Sequence, residues 1–172
     1  MKPPAEWYRE QDLSKHYMRR TDRPFEEGVS RGQLRRIAKC EESLMFVRSE
    51  ISLCYPIINA NRIAKGRTYG MTWADLQSIS GDVLCWHIYS PSWDLIHAAA
   101  ICVRINPSTI YCSAWGHASG LNKLSPVTFL AKGIYNYCTA NGFSTMDIGV
   151  GGDPGLDIFK RRLGFRLPEE GM

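Results

Sequence analysis

Residues 82–117, DVLCWHIYSPSWDLIHAAAICVRINPSTIYCSAWGH, and residues 125–142, SPVTFLAKGIYNYCTANG, decide how this chain folds. The first stretch holds three apolar runs rich in β-branched and aromatic residues, separated by SPSW and NPS, whose proline and serine favour tight turns. It predicts a three-stranded antiparallel meander. The second stretch opens with Ser125 as an N-cap and Pro126 at the first helical position, and closes on Gly142 as a left-handed cap. Val127, Leu130, Ile134 and Tyr137 recur every three or four residues, so one face of this helix is apolar and packs on the sheet. Lys132 and Asn136 fall on the side toward solvent.

Downstream, residues 143–150 (FSTMDIGV) predict a short strand, and Asp153 with Pro154 opens a brief helix, GLDIFKRRL, closed by Gly164. Upstream, Ser43 to Ile51 predicts a first strand. IINANRIAKG, after Pro56, predicts a short helix ended by Gly66, and Thr72–Asp75 opens another in the manner of a capping box. Residues 1–41 are polar and basic, with Arg19, Arg20, Arg23, Arg31, Arg35 and Arg36 interrupted by Pro24, Gly28 and Gly32. They predict one or two helices, the second near 30–39, as a basic extension ahead of a single domain at 42–172.

The chain is 44% hydrophobic and 22% charged, which excludes a disordered tail or a fibrous repeat and predicts one packed core. No apolar run approaches the ~20 residues that span a bilayer, and the start, MKPPAEWYREQ, is charged where a signal peptide is apolar. A cytoplasmic protein without a membrane partner is expected. Six cysteines form no C-x-x-C pair and several lie in strand-like stretches, so they are read as small hydrophobes, with neither a metal site nor a disulfide framework. The net charge of +4 suits an anionic ligand such as a coenzyme, a nucleotide or RNA.

The order of helices, meander, long helix, short strand and short helix, closing on GLDIFKRRLGF, resembles the GNAT acyltransferase fold. SPVTFLAKGIYNYCTANGFSTMDIGV together with GLDIFKRRLGF is similar to its Fem-type branch, which includes peptidoglycan-bridge aminoacyl transferases. The resemblance implies an α+β architecture with a mostly antiparallel central sheet flanked by helices, and an enzyme that moves an acyl group onto an amine. No Q/R-x-x-G-x-G/A loop precedes Ser125, where coenzyme A-dependent GNAT enzymes hold the pyrophosphate. Lys160 stands where typical members present a tyrosine general acid, and the Fem-type branch has a lysine there as well. Peptidoglycan-bridge enzymes carry two such units against one here, and little sequence follows FRLPEEGM for terminal strands, so a partner subunit, such as a second copy in a homodimer, could complete the site.

Acyl transfer to an amine requires a proton acceptor and groups that stabilise the developing oxyanion. By the resemblance, Lys160 would steady the oxyanion or contact a carrier phosphate; otherwise Lys160, Arg161 and Arg162 complement a helix dipole. His117 follows the third meander strand where a GNAT-like sheet splays, and its imidazole could accept the amine proton; a satisfied loop histidine is the alternative. Asp147 could orient the amine or the base, or cap a turn. Ser125, Pro126, Val127 and Thr128, with Lys123 just before them, would present the positive end of a helix to the phosphates of an acyl-CoA, though Ser-Pro caps any helix equally well. Arg67 and Tyr69, with Arg62, Lys65 and Trp115, would contact the acceptor, or else form a solvated helix face and part of the core. His87 and His97 lie in apolar strands and are expected to hydrogen-bond within the core. Acyl-CoA is thus expected as a co-substrate rather than a permanently bound cofactor, with a small amine acceptor such as a nucleotide-linked amino sugar. The alternatives are an aminoacyl-tRNA donor gripped by the basic N-terminal region, and a catalytically silent binding module.

Overall fold

The computed structural model describes residues 8–66, 74, 83–118 and 124–171. Six strands form one mixed sheet: β1 (His16–Arg20), β2 (Met45–Ser49), β3 (Val83–Ser90), β4 (Leu95–Asn106), β5 (Thr109–His117) and β6 (Thr145–Val150). Among the described residues four helices flank it: α1 (Arg31–Glu41), α2 (Ile51–Ala64), α3 (Pro126–Ala140) and α4 (Pro154–Arg162). The spatial order is β1-β6-β5-β4-β3-β2. β2 to β5 are antiparallel neighbours, β5 and β6 are parallel, and β1 lies antiparallel to β6. The sheet is therefore mostly antiparallel and the architecture α+β.

The meander and the long helix fold as their patterns dictate. In β4, Ala98, Ala100 and Cys102 face a core shared with Leu130, Ile134 and Cys138 of α3 and Ile37 and Cys40 of α1. Ala99 and Ile101 face the opposite side, against Cys54 and Ile58 of α2. A central strand covered on both faces reads as a continuous apolar run, as HAAAICV does. In α3, Gly133 sits against Phe46 of β2, and a Cβ there would overlap the ring. Lys132 is not simply solvated: its ammonium pairs with Glu41 at 2.9 Å and Glu26 at 3.3 Å.

Three upstream expectations are revised. α2 begins at Ile51 rather than after Pro56, which lies inside it. The missing N–H of Pro56 deprives only the carbonyl of Ser52, one turn earlier at an exposed residue, where water can replace it. Within residues 1–41, expected to be helical, α1 forms as predicted, but His16–Arg20 is a strand of the sheet, and Tyr17, Phe25, Ile37 and Cys40 belong to the main core. The place beside β6 is thus filled from the N-terminal side of the chain, and Arg166 bridges to Met18 on the other edge of β1. Arg19 is not part of a basic surface. It is buried, donates to the carbonyls of Leu163 (2.6 Å), Phe25 (2.6 Å), Glu27 (2.5 Å) and Pro24 (3.3 Å), and stacks between the rings of Phe25 and Tyr135.

Candidate active site

β5 and β6 stay paired for only three residues, Thr109–Tyr111 against Thr145–Asp147. Beyond them β5 continues to His117 alongside β4, while β6 parts from it. The divergence has a local cause. Gly149 has φ 74°, a left-handed conformation that bends the strand at a bulge before it rejoins β1 at Val150. A Cβ at this position would also lie 3.3 Å from the Tyr111 hydroxyl.

The same bend creates the surroundings of Lys160. Successive carbonyls of a regular strand point to opposite edges, so three in a row cannot meet one amine unless the strand is interrupted. Here the Lys160 ammonium donates to the carbonyls of Ile148 (2.9 Å), Gly149 (2.8 Å) and Val150 (2.8 Å). It is 1% exposed and lies 5.2 Å from the Tyr17 ring centre. Burial pushes its pKa down to about 8, with the charges of Asp147 and Asp157 opposing the fall. Asp153 caps α4, accepting from the N–H groups of Gly155 (2.8 Å) and Leu156 (3.2 Å), and thereby fixes the helix that carries Lys160.

Trp115 of β5 meets Phe159 of α4 edge-on across the opening, with ring centres 6.0 Å apart. By strand alternation His117 lies on the same face of β5 as Trp115. It is half-buried, and its Nδ1–H donates to the carbonyl of Ala118 at 3.1 Å, because a carbonyl can only accept. The lone pair is then on Nε2. The backbone carbonyl of His117 accepts from Asn61 of α2 at 2.8 Å, which ties the strand end to that helix.

Asp147 lies on the other face of β6. It is fully buried and accepts from His16 Nδ1–H at 2.8 Å, from the Gly149 N–H at 2.7 Å and from the Tyr8 hydroxyl. Burial and the Asp147 charge push the Tyr8 hydroxyl pKa upward. The His16 ring stacks on Tyr111 at 5.8 Å, and its Nε2 is buried without a hydrogen-bond partner. Tyr8 and His16 are absent from the expected site. No short-range pattern marks them, since Tyr8 and Asp147 lie 139 residues apart in the chain.

The opening thus has Lys160, Trp115 and His117 on one side and Asp147 on the other. Among the described residues no hydrogen bond links His117 to Lys160 or Asp147. At the start of α3, Thr128 is buried, its hydroxyl bonded to Ser125 (2.6 Å) and Gln33 (3.2 Å), and its N–H to the Ser125 carbonyl (2.9 Å). Pro126 has no N–H, so the first turn has few donors to offer a phosphate; Val127 is half-buried against the main core. Lys123, Arg67 and Tyr69 lie outside the described residues. His87 bonds to Ser49 at 2.8 Å. His97 departs from its expected core hydrogen bond: it is fully buried with neither ring nitrogen partnered, packed edge-on to Trp93, and burial lowers its pKa. The six cysteines are free and buried, and no cluster of metal-ligating side chains occurs among the described residues. No helix described is long and apolar enough to cross a membrane.

No protein-family profile matches the chain, and no curated protein matches it in sequence. Solved structures do match. FemX aligns with TM-score 0.71 at 12% identity, over 88% of this chain and 58% of FemX. The C-terminal domain of a putative lysylphosphatidylglycerol synthetase from Agrobacterium fabrum aligns with TM-score 0.64 at 11% identity, over 90% of this chain and 57% of that one. L-PGS from Bacillus licheniformis aligns with TM-score 0.61 at 14% identity, over 86% and 51%. The chain spans between half and three fifths of the length of these proteins. In fold, it is similar to the GNAT-like, Fem-type acyltransferases.

Proposed function

We propose that this chain is an acyltransferase that moves an aminoacyl group from an RNA ester onto an amine. The observation that carries the reading is the opening between β5 and β6, with a buried ammonium held at one strand end and an accessible imidazole at the other. A buried lysine whose pKa is lowered by burial, beside such an opening, is a mark of functional sites. The similarity in fold to FemX and to lysylphosphatidylglycerol synthetases favours an aminoacyl donor over an amino-sugar acylation that uses coenzyme A. The scarcity of free donors at the start of α3 points the same way.

In this reading the acceptor amine attacks the ester carbonyl, and Nε2 of His117 takes the amine proton. The tetrahedral oxyanion then collapses, the C–O ester bond breaks, and the released ribose hydroxyl takes a proton from the His117 imidazolium, leaving an amide. Lys160 already directs its N–H groups at three carbonyls, so it acts as a positioning residue that holds the bend of β6 and places a positive charge beside the opening. Trp115 and Phe159 exclude water from the reacting ester.

The test supplies bulk tRNA charged with labelled amino acids, and separately labelled acetyl-CoA, with a panel of amine acceptors: free amino acids, a lysine-bearing peptide and an amino sugar. Label leaving the tRNA for an amine in the native protein, with at least ~100-fold loss in His117→Ala, supports the reading. Transfer from acetyl-CoA alone overturns the donor assignment. No transfer from either donor overturns the enzymatic reading in favour of a binding module.

A further inference from the structure

We infer that the outer face of α1 and the adjoining end of α4 form a docking ledge for the phosphate backbone of RNA. This deepens the proposed function, since it rests on an RNA-borne donor. The exposed positions of α1 are Arg31, Gly32, Arg35, Arg36, Ala38 and Lys39, followed by Glu41 at the helix end. Arg31, Arg35 and Lys39 succeed one another at i, i+4 and i+8, a row of cations about one helical turn (~6 Å) apart. The apolar side, Ile37 and Cys40, is in the core. The first turn of α1 holds no acidic residue, so the positive end of its dipole is uncompensated.

The row continues onto α4. The Ser30 N–H donates to the carbonyl of Arg162 at 2.9 Å, which sets the last turn of α4 against the start of α1. Between them lies an open cavity of about 480 Å³ with an apolar floor, Gly28, Val29 and Ile158, rimmed by Ser30, Arg161, Arg162 and Arg166. Arg161 pairs with Glu170 (2.6 Å), and one arm of Arg166 caps the carbonyls of Arg161 and Phe165. Arg31, Arg35, Arg36, Lys39 and Arg162 form no ion pair among the described residues. Five of the chain's 21 Lys and Arg residues thus stand on one ledge without an ion pair among the described residues.

Such a field suits a polyanion. A phosphate backbone fits better than a lipid surface, because an interfacial helix needs an apolar face to sink into the acyl layer, and that face of α1 is covered by the protein. α4 also joins the ledge to the opening: Phe159 and Lys160 stand at the opening and Arg162 on the ledge. A carrier held there brings its aminoacylated end toward Trp115 and His117.

The test measures binding of uncharged bulk tRNA to the full chain by fluorescence anisotropy over a salt series, for the native protein and for Arg31→Gln/Arg35→Gln/Arg162→Gln. The altered side chains are solvent-facing, and an unchanged melting temperature shows that the triple variant folds. Loss of three phosphate contacts should weaken binding by roughly tenfold or more near 0.1 M salt and reduce the salt slope by about 2. The control Arg104→Gln, which removes an exposed charge on β4, should change little. Equal binding by the native and triple-variant proteins overturns the ledge but leaves the donor assignment standing. Loss of binding to phosphatidylglycerol vesicles in the triple variant, with no tRNA affinity in the native protein, overturns the RNA assignment and transfers the ledge to lipid. A native protein that transfers acyl groups only from acetyl-CoA fails the donor reading itself.

Discussion

Lys160 is the residue whose surroundings say most about the site. Its pKa falls from 10.5 to about 8 on folding because burial disfavours the ammonium. Between those values the unfolded chain holds a proton that the folded chain has released at this group, so the contribution of Lys160 to stability rises with pH across this window. Below about pH 8 both states are charged, and the penalty of the buried ammonium is fully present. The hydrogen bond with Cys54 and burial raise the thiol pKa of Cys85, and burial raises those of Cys102 and Cys138, which pulls stability down over the same range. The Lys160 contribution is therefore read as a difference: in denaturant unfolding between pH 7.5 and 10.5 the native protein should gain stability relative to Lys160→Met as the pH rises. If the ammonium holds the bend of β6 for catalysis, kcat falls above about pH 8 and Lys160→Arg moves that limb upward. Gly149 is the second decisive residue. Alanine there must adopt φ 74° with its Cβ against the Tyr111 hydroxyl, so Gly149→Ala should cost about 1–2 kcal/mol in chemical denaturation.

Among the elements, the segment after β1 depends on one buried guanidinium. Arg19 collects the carbonyls of Pro24, Phe25, Glu27 and Leu163, tying residues 24–27 to the turn that follows α4. Hydrogen bonds from a charged group to buried carbonyls contribute more than neutral ones, and removing the donor leaves those carbonyls unmatched. Arg19→Met should therefore destabilise the chain by about 2–4 kcal/mol. Hydrogen exchange would locate the loss in residues 21–30 and 163–166, leaving the β3–β5 meander protected. A loss spread evenly over the meander would contradict this account.

For the whole molecule, the N-terminal segment is built into the sheet. β1 covers the outer edge of β6, supplies His16 to the buried Asp147 pair, and bridges to Arg166. Removing residues 1–20 would expose the edge of β6, strip Tyr17 from the core and leave Asp147 without His16 and Tyr8. The truncated chain should lose cooperative unfolding, seen as a broadened melting transition, and bind a hydrophobic dye at rest. A sharp, unshifted transition would mean that the core holds without β1.

The sequence by itself determined the elements whose signals are local. The meander was legible because β3, β4 and β5 are apolar runs divided by proline turns, and α3 because Ser125, Pro126 and an apolar period of three to four residues mark its start and buried face. Lys160, Asp147 and His117 could be singled out as residue types, Lys160 through the Fem-type resemblance and the other two because they lie on or close after legible strands. Where each lies and what it touches was decided by contacts between distant parts of the chain. β1 carries no pattern that separates HYMRR from a basic helix, because its pairing partner β6 lies more than a hundred residues away and its burial depends on where that pairing puts it. Lys160 donates to strand carbonyls because Gly149 bends β6, and Asp147 belongs to a buried pair on the opposite face because β1 delivers His16 there. A side chain's type is written in the sequence, whereas its partners, its burial and hence its protonation depend on which strands the fold sets side by side.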